Sequence, residues 1–168
     1  MSILDSPPIS RIRRNHGLEH ATIHMLSGRN PARSIAGHSD TGGFWMLGDV
    51  DTEELASAAT EALARMRAGE HHLAVHPNCG TNFVTYGMAA GSAALLANVG
   101  VGGRFRDKLE RLPLAVLFAT VALILAQPLG TRIQQRVTTS GHPGDLQIVE
   151  IVKSMRGRMV AHRVVTQG

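Results

Sequence analysis

The residues best suited to chemistry are His16, Glu19 and His20, which read H-x-x-E-H, with His24 one further turn along. On a helix, positions i, i+4 and i+8 lie on one stripe, so the three imidazoles face the same way. Two imidazoles one turn apart form a metal clamp. Glu19 beside them is placed to activate a metal-bound water, the order found in inverted zincin hydrolases. The local sequence predicts a helix here, with Asn15 as N-cap, Glu19 in the favourable first turns and Gly28 as the stop. The chain has nine histidines, so the competing reading is a polar helix face with surface histidines.

A second group stands downstream in His76-Pro77-Asn78-Cys79-Gly80-Thr81-Asn82. His76 and Cys79 have H-x-x-C spacing, close enough for a nitrogen and a sulfur to bind one zinc ion. Taken alone, the segment reads as a Pro/Gly turn with a buried thiol. Joined to the histidine helix, it supplies the third and fourth ligands of a single site. Glu70, His71 and His72 lie nearby in a polar run and read as solvated.

These groups need elements to position them. Ser34-Ile35-Ala36 and Phe44-Trp45-Met46-Leu47 predict a short β-hairpin, with Ser39 to Gly43 as its turn. Asp51 and Glu54 predict a capping box at the head of an amphipathic helix. Leu55, Ala59, Ala62, Leu63 and Met66 form its packing face, and Gly69 ends it. Leu73-Ala74-Val75 reads as a short extended run, since Pro77 disfavours helix at His76. Two uncharged segments follow, Phe83 to Gly103 and Leu112 to Thr131, each near the ~20 residues that cross a bilayer. Gly87 and Gly91 form a small-xxx-small pair expected to face the partner helix. A buried hairpin in a soluble protein is the alternative, and the near-zero mean hydropathy keeps it open. Leu146 to Met155 fits a helix or a strand, and Met159 to Thr166 a terminal strand. The expected class is α+β with a membrane helical hairpin: a metal-motif region at 1–82, the hairpin at 83–131, and a C-terminal segment at 132–168 packing on the first region.

Composition narrows the classes. The formal charge is +4, the basic residues are scattered, and there are only four Phe, one Tyr and one Trp. So few stacking platforms argue against nucleic-acid binding. A single cysteine rules out an intramolecular disulfide and fits a reducing compartment or a metal role. No cleavable signal peptide is expected, because Met1 to Asn15 lacks an apolar core. Arg104, Arg106, Lys108 and Arg111 between the apolar segments favour a cytoplasmic loop, whereas the free cysteine favours cytoplasmic termini, so the sequence leaves orientation open.

HGLEHATIH followed by HPNCGTNF resembles the YqhQ-like family of uncharacterised bacterial membrane proteins. The tail PLGTRIQQRVTTSGHPGDLQIVEI is similar to a third stretch of that family, and the likeness spans about Asn15 to Ile151. It implies a metal-dependent membrane enzyme with no assigned reaction. His16, Glu19 and His20 match its first motif, His76, Cys79, Gly80 and Thr81 its second, and Thr138 and Thr139 its third. His24 lies outside the pattern. The chain departs from the family in lacking a longer N-terminal region and in carrying the Ser34 to Leu47 stretch between the motifs.

The expectation is a hydrolase integral to the bacterial cell membrane, with zinc or another divalent transition metal on His16, His20, His76 and Cys79 and with Glu19 as the base. Its partners are the lipid bilayer, a substrate or protein of unidentified class, and a second copy through the Gly87/Gly91 face. If Cys79 closes the tetrahedron, no position remains for water and the site is structural. That is the non-enzymatic alternative. A cysteine nucleophile, Cys79 with His76 or His20, is a third class that needs no metal.

Overall fold

The computed structural model describes residues 3–168. They form four α-helices and a four-stranded antiparallel sheet of order β1-β2-β4-β3. The elements fall into two compact units, one joining the chain up to His76 with Gln135–Gly168, the other comprising Pro77–Gln134.

The first unit opens on helix α1, Pro7–Arg29. Pro7 and Pro8 follow the extended Ser6, and their fixed φ suits the first helical positions, where a missing N–H costs nothing. The helix therefore starts well before Asn15, and the expected N-cap there is corrected. Asn15 is a buried interior residue whose amide donates to Asp40 O at 2.7 Å and accepts from the Thr166 hydroxyl at 2.7 Å. A hairpin follows, β1 (Ala36–Asp40) and β2 (Gly43–Leu47), with Asp40 opposite Gly43.

Helix α2 spans Thr52–Arg67, and the Asp51 carboxylate accepts from the N–H groups of Glu53 and Glu54. The expected capping box is only half formed, because Glu54 turns its carboxylate to Arg33 at 2.8 Å. Residues 73–75 are not an extended run: His71–Ala74 is a 3-10 turn, and only Val75 is extended. The C-terminal ambiguity resolves as two strands, β3 (Gln147–Arg156) and β4 (Met159–Gln167). Period-2 placement puts Val164 of β4 and Phe44 and Met46 of β2 inward, against Leu18, Leu26, Leu55 and Met66 of α1 and α2, all fully buried. This core holds α1 in place, and α1 carries the histidines.

The second unit is a helix pair, α3 (Gly80–Ala97) packed on α4 (Phe105–Ile133). Residues 105–111, expected in a loop, are the first turns of α4. Among the described residues one helical stretch, Phe105–Thr138, is long and apolar enough to cross a membrane, not two. The 18 residues of α3 reach only ~27 Å, and its Thr, Asn, Ser and Gly residues dilute it. The glycine expectation is also corrected. Gly87 and Gly91 are exposed, and a Cβ at either would meet open space. The close approach lies at Gly130 of α4, where a Cβ would come within 2.9 Å of the Tyr86 ring and 3.0 Å of Asn82 Oδ1. Much of the apolar surface of this unit faces outward, Leu96 at 70% and Leu125 at 71% exposure among it.

Candidate metal centre

Helical spacing carries the imidazoles of α1 to one side, toward the segment that ends at His76. The His16 and His20 ring centroids are 4.4 Å apart, His20 and His76 are 5.8 Å apart, and His24 and His76 are 4.9 Å apart. Four imidazoles thus run in one contiguous cluster. Each α1 ring is oriented by a backbone carbonyl: His16 Nδ1 lies 3.0 Å from Thr138 O, His20 Nδ1 2.8 Å from Ala74 O, and His24 Nε2 2.8 Å from Val75 O. A carbonyl can only accept, so the bonded nitrogen carries the hydrogen. In the neutral rings the lone pair is then on Nε2 of His16 and His20 and on Nδ1 of His24. Metal-ligating histidines are oriented in this way, by donation of the other N–H.

Electrostatics set the charge state of His76. Burial, followed by the charges of His24 and His20, pushes the His76 pKa down to about 4. His76 is therefore neutral near pH 7.

Glu19 leaves the same helix toward the sheet. It is buried, accepts a hydrogen bond from the Ser39 hydroxyl, and packs against Gly37, where a Cβ would overlap its carboxylate. Burial raises its pKa above the usual carboxylate range, and the Ser39 bond, His16 and His38 partly oppose that rise. A carboxylate so placed favours proton uptake, the property of a general base. Gly17 is equally constrained, since a Cβ there would overlap the Ser140 carbonyl. The backbone that holds His16 thus lies directly on the helix.

Cys79 belongs to the second unit, as the buried N-cap residue of α3. Sequence reasoning set His24 aside and overlooked Gly37, Ser39 and His38. The helical stripe was signal enough for His24. Nothing in the spacing pointed to the strand residues.

This α+β protein with a histidine cluster on its first helix matches, over residues 11–151, the family described as Domain of unknown function (DUF6391), and it belongs to that family. It is 35% identical over 154 residues to an uncharacterized protein of Picosynechococcus sp., the match covering 83% of this chain and 71% of that protein. No solved structure matches.

Proposed function

We propose that the protein is a membrane-associated, metal-dependent hydrolase, with zinc or a similar divalent ion held by His16, His20 and His76. The observation that carries the reading is the pairing of ring geometry and tautomer. Neighbouring imidazoles each have one nitrogen tied to a backbone carbonyl, which fixes the lone pair of the neutral ring on the other. A bound ion would supply Lewis acidity and lower the pKa of water on it to ~7. Glu19, one turn from His16, would accept a proton from the attacking water, with a carbonyl or phosphoryl centre as its target. The YqhQ-like resemblance of the two motifs implies the same class. The outward apolar surface of α3 and α4 supports a bilayer as partner, with α4 as the span.

A second reading is a structural metal site. The burial of Cys79 favours it, because three residues of chain reach at most ~10 Å and its thiol is a natural fourth ligand after His76. A closed tetrahedron admits no water.

Elemental analysis of the untagged, detergent-extracted protein tests both readings. One bound ion per chain, lost in His20→Ala and kept in Glu19→Gln, is the expected result. Hydrolysis of chromogenic carboxylate and phosphate esters should fall by roughly 10²–10⁴ in Glu19→Gln. A chain that hydrolyses none of them and keeps its ion favours the structural site. A chain without stoichiometric metal, or one that keeps it in His20→Ala, overturns both.

A further inference from the structure

The first two turns of α4 carry two exposed stripes side by side. Phe105, Leu109 and Leu112 recur at i, i+4 and i+7 and so share one line along the helix. All three are exposed, at 77%, 50% and 53%. Arg104, Lys108 and Arg111 repeat the same spacing one residue earlier, which sets them about 100° around the axis from the apolar line. They too are exposed. The two carboxylates of these turns lie off both lines. Glu110 pairs with Arg106 at 3.2 Å, and Asp107 packs against Gly102, where a Cβ would overlap its carboxylate. Among the described residues no ion pair engages Arg104, Lys108 or Arg111. Cations at the head of a helix are opposed by its dipole, so the basic stripe does not serve to stabilise α4 itself.

We propose that this basic stripe binds the headgroups of anionic phospholipids, with the apolar line beside it set into the edge of the acyl region. The proposal rests on the reading of α4 as a membrane span and adds which lipid meets its first turns. Uncharged sequence runs from Leu112 to Thr131, ~30 Å of helix that fills the hydrocarbon core. Residues 104–111 therefore fall at the level of the headgroups. There a Lys or Arg side chain lays its aliphatic stem along the helix and extends its charge to the phosphates, while Phe and Leu suit the acyl boundary. Three cations without carboxylate partners are matched in sign by anionic lipid, and a zwitterionic headgroup offers them no net charge. Each basic residue near an anionic leaflet favours association by roughly five-fold, a gain that salt screens.

Lipid quenching of the full-length chain in vesicles tests it. Phe105→Trp in a Trp45→Phe background puts a single fluorescent reporter at the stripe. Brominated phosphatidylglycerol and brominated phosphatidylcholine are compared at equal fraction in phosphatidylcholine vesicles. The expected result is quenching by both lipids, with an apparent association constant roughly five-fold or more higher for the anionic one. Concentrated sodium chloride should shrink that ratio. Arg104→Gln/Lys108→Gln/Arg111→Gln should bring it to one, Lys108→Gln alone should lower it part of the way, and Lys108→Arg should keep it. Equal quenching by the two lipids with the basic stripe intact, or a ratio that survives the triple change, overturns the proposal and leaves α4 as a span. Quenching by neither lipid overturns the membrane reading as well and identifies protein as the cover of this stripe.

Discussion

Gly37 shows how one residue on a strand governs a group on a helix. Its missing side chain is the space that the Glu19 carboxylate occupies, and Ser39, two residues along the same strand, donates to that carboxylate. Gly37→Ala must displace one or the other, at a cost of about 1–3 kcal/mol. It should therefore lower the urea midpoint and impair hydrolysis while the metal content is unchanged, because no proposed ligand moves. Loss of metal in Gly37→Ala would make Glu19 part of the ligand shell. His162 offers a pH test away from the centre. It is fully buried on β4, its Nε2 lies 3.0 Å from the Thr52 hydroxyl, and Nδ1 is buried with no hydrogen-bond partner. Burial first, then the Lys153 charge, holds its pKa below the ordinary histidine value, with Asp51 opposing. Unfolding releases this restraint, so below pH ~6.5 the unfolded chain takes up a proton that the folded one resists. The stability His162 contributes is complete above that pH and declines as pH falls toward its lowered folded value. His162→Gln cannot titrate, so between about pH 7.5 and 5.5 it should lose less stability in urea than the unaltered chain. Equal losses would show that this histidine does not set the acid limit.

At the scale of elements, the contact between α3 and α4 depends on Gly130 and not on the glycine pair in α3. Gln134 Nε2 donates to Asn82 Oδ1 at 3.2 Å, and Asn82 in turn donates to Pro77 O at 2.9 Å, one turn from the Gly130 contact. Gly130→Leu should force the helices apart and lower the thermal midpoint in detergent by several degrees, as overpacking by 1–3 kcal/mol does. Gly87→Ala and Gly91→Ala should be neutral in the monomer. If they alter a cross-linked dimer instead, the outward small-residue face joins two copies. Helix α1 shows the same dependence on long-range bonding. Asn15 links it to β1 and β4, and Arg14 reaches Asp145 at 2.5 Å and Gly168 O at 3.1 Å. The helix that carries the candidate ligands is thus tied to β1 and β4 and to the residues just before β3 and just after β4.

For the whole molecule, the exposed apolar surface of the second unit bears on where the protein resides. An aqueous setting would leave Leu117, Phe118, Val121 and Leu125, which line one groove with Leu96, in contact with water. A bilayer would cover them without cost. Val121→Arg places a charge near the middle of α4, at about +2.5–3.5 kcal/mol for a spanning helix. It should shift the protein from the membrane fraction to the alkali-extractable fraction. Unchanged partitioning would identify α4 as a helix covered by protein.

Some of this organisation follows from local sequence alone. The three-histidine stripe needs only the 3.6-residue period, the Asp51 cap only its own carboxylate and the next turn's N–H groups, and the apolar stretch of α4 only its composition. The second strand and the glycine turn of the hairpin were legible for the same reason, but the first strand lies at Ala36–Asp40 and not at the expected Ser34 to Ala36, so Ser39 and Asp40 belong to the strand and not to the turn. Other features lay beyond reach because distant segments supply them. The His16 tautomer is set by a carbonyl 122 residues away along the chain. Gly87 and Gly91 have the spacing of a packing motif, yet which way they face depends on how α3 is rotated against α4. Periodicity places residues on a face of their own element. Only tertiary packing decides what that face meets, and it is this packing that puts Glu19 against a strand and His76 beside the helix.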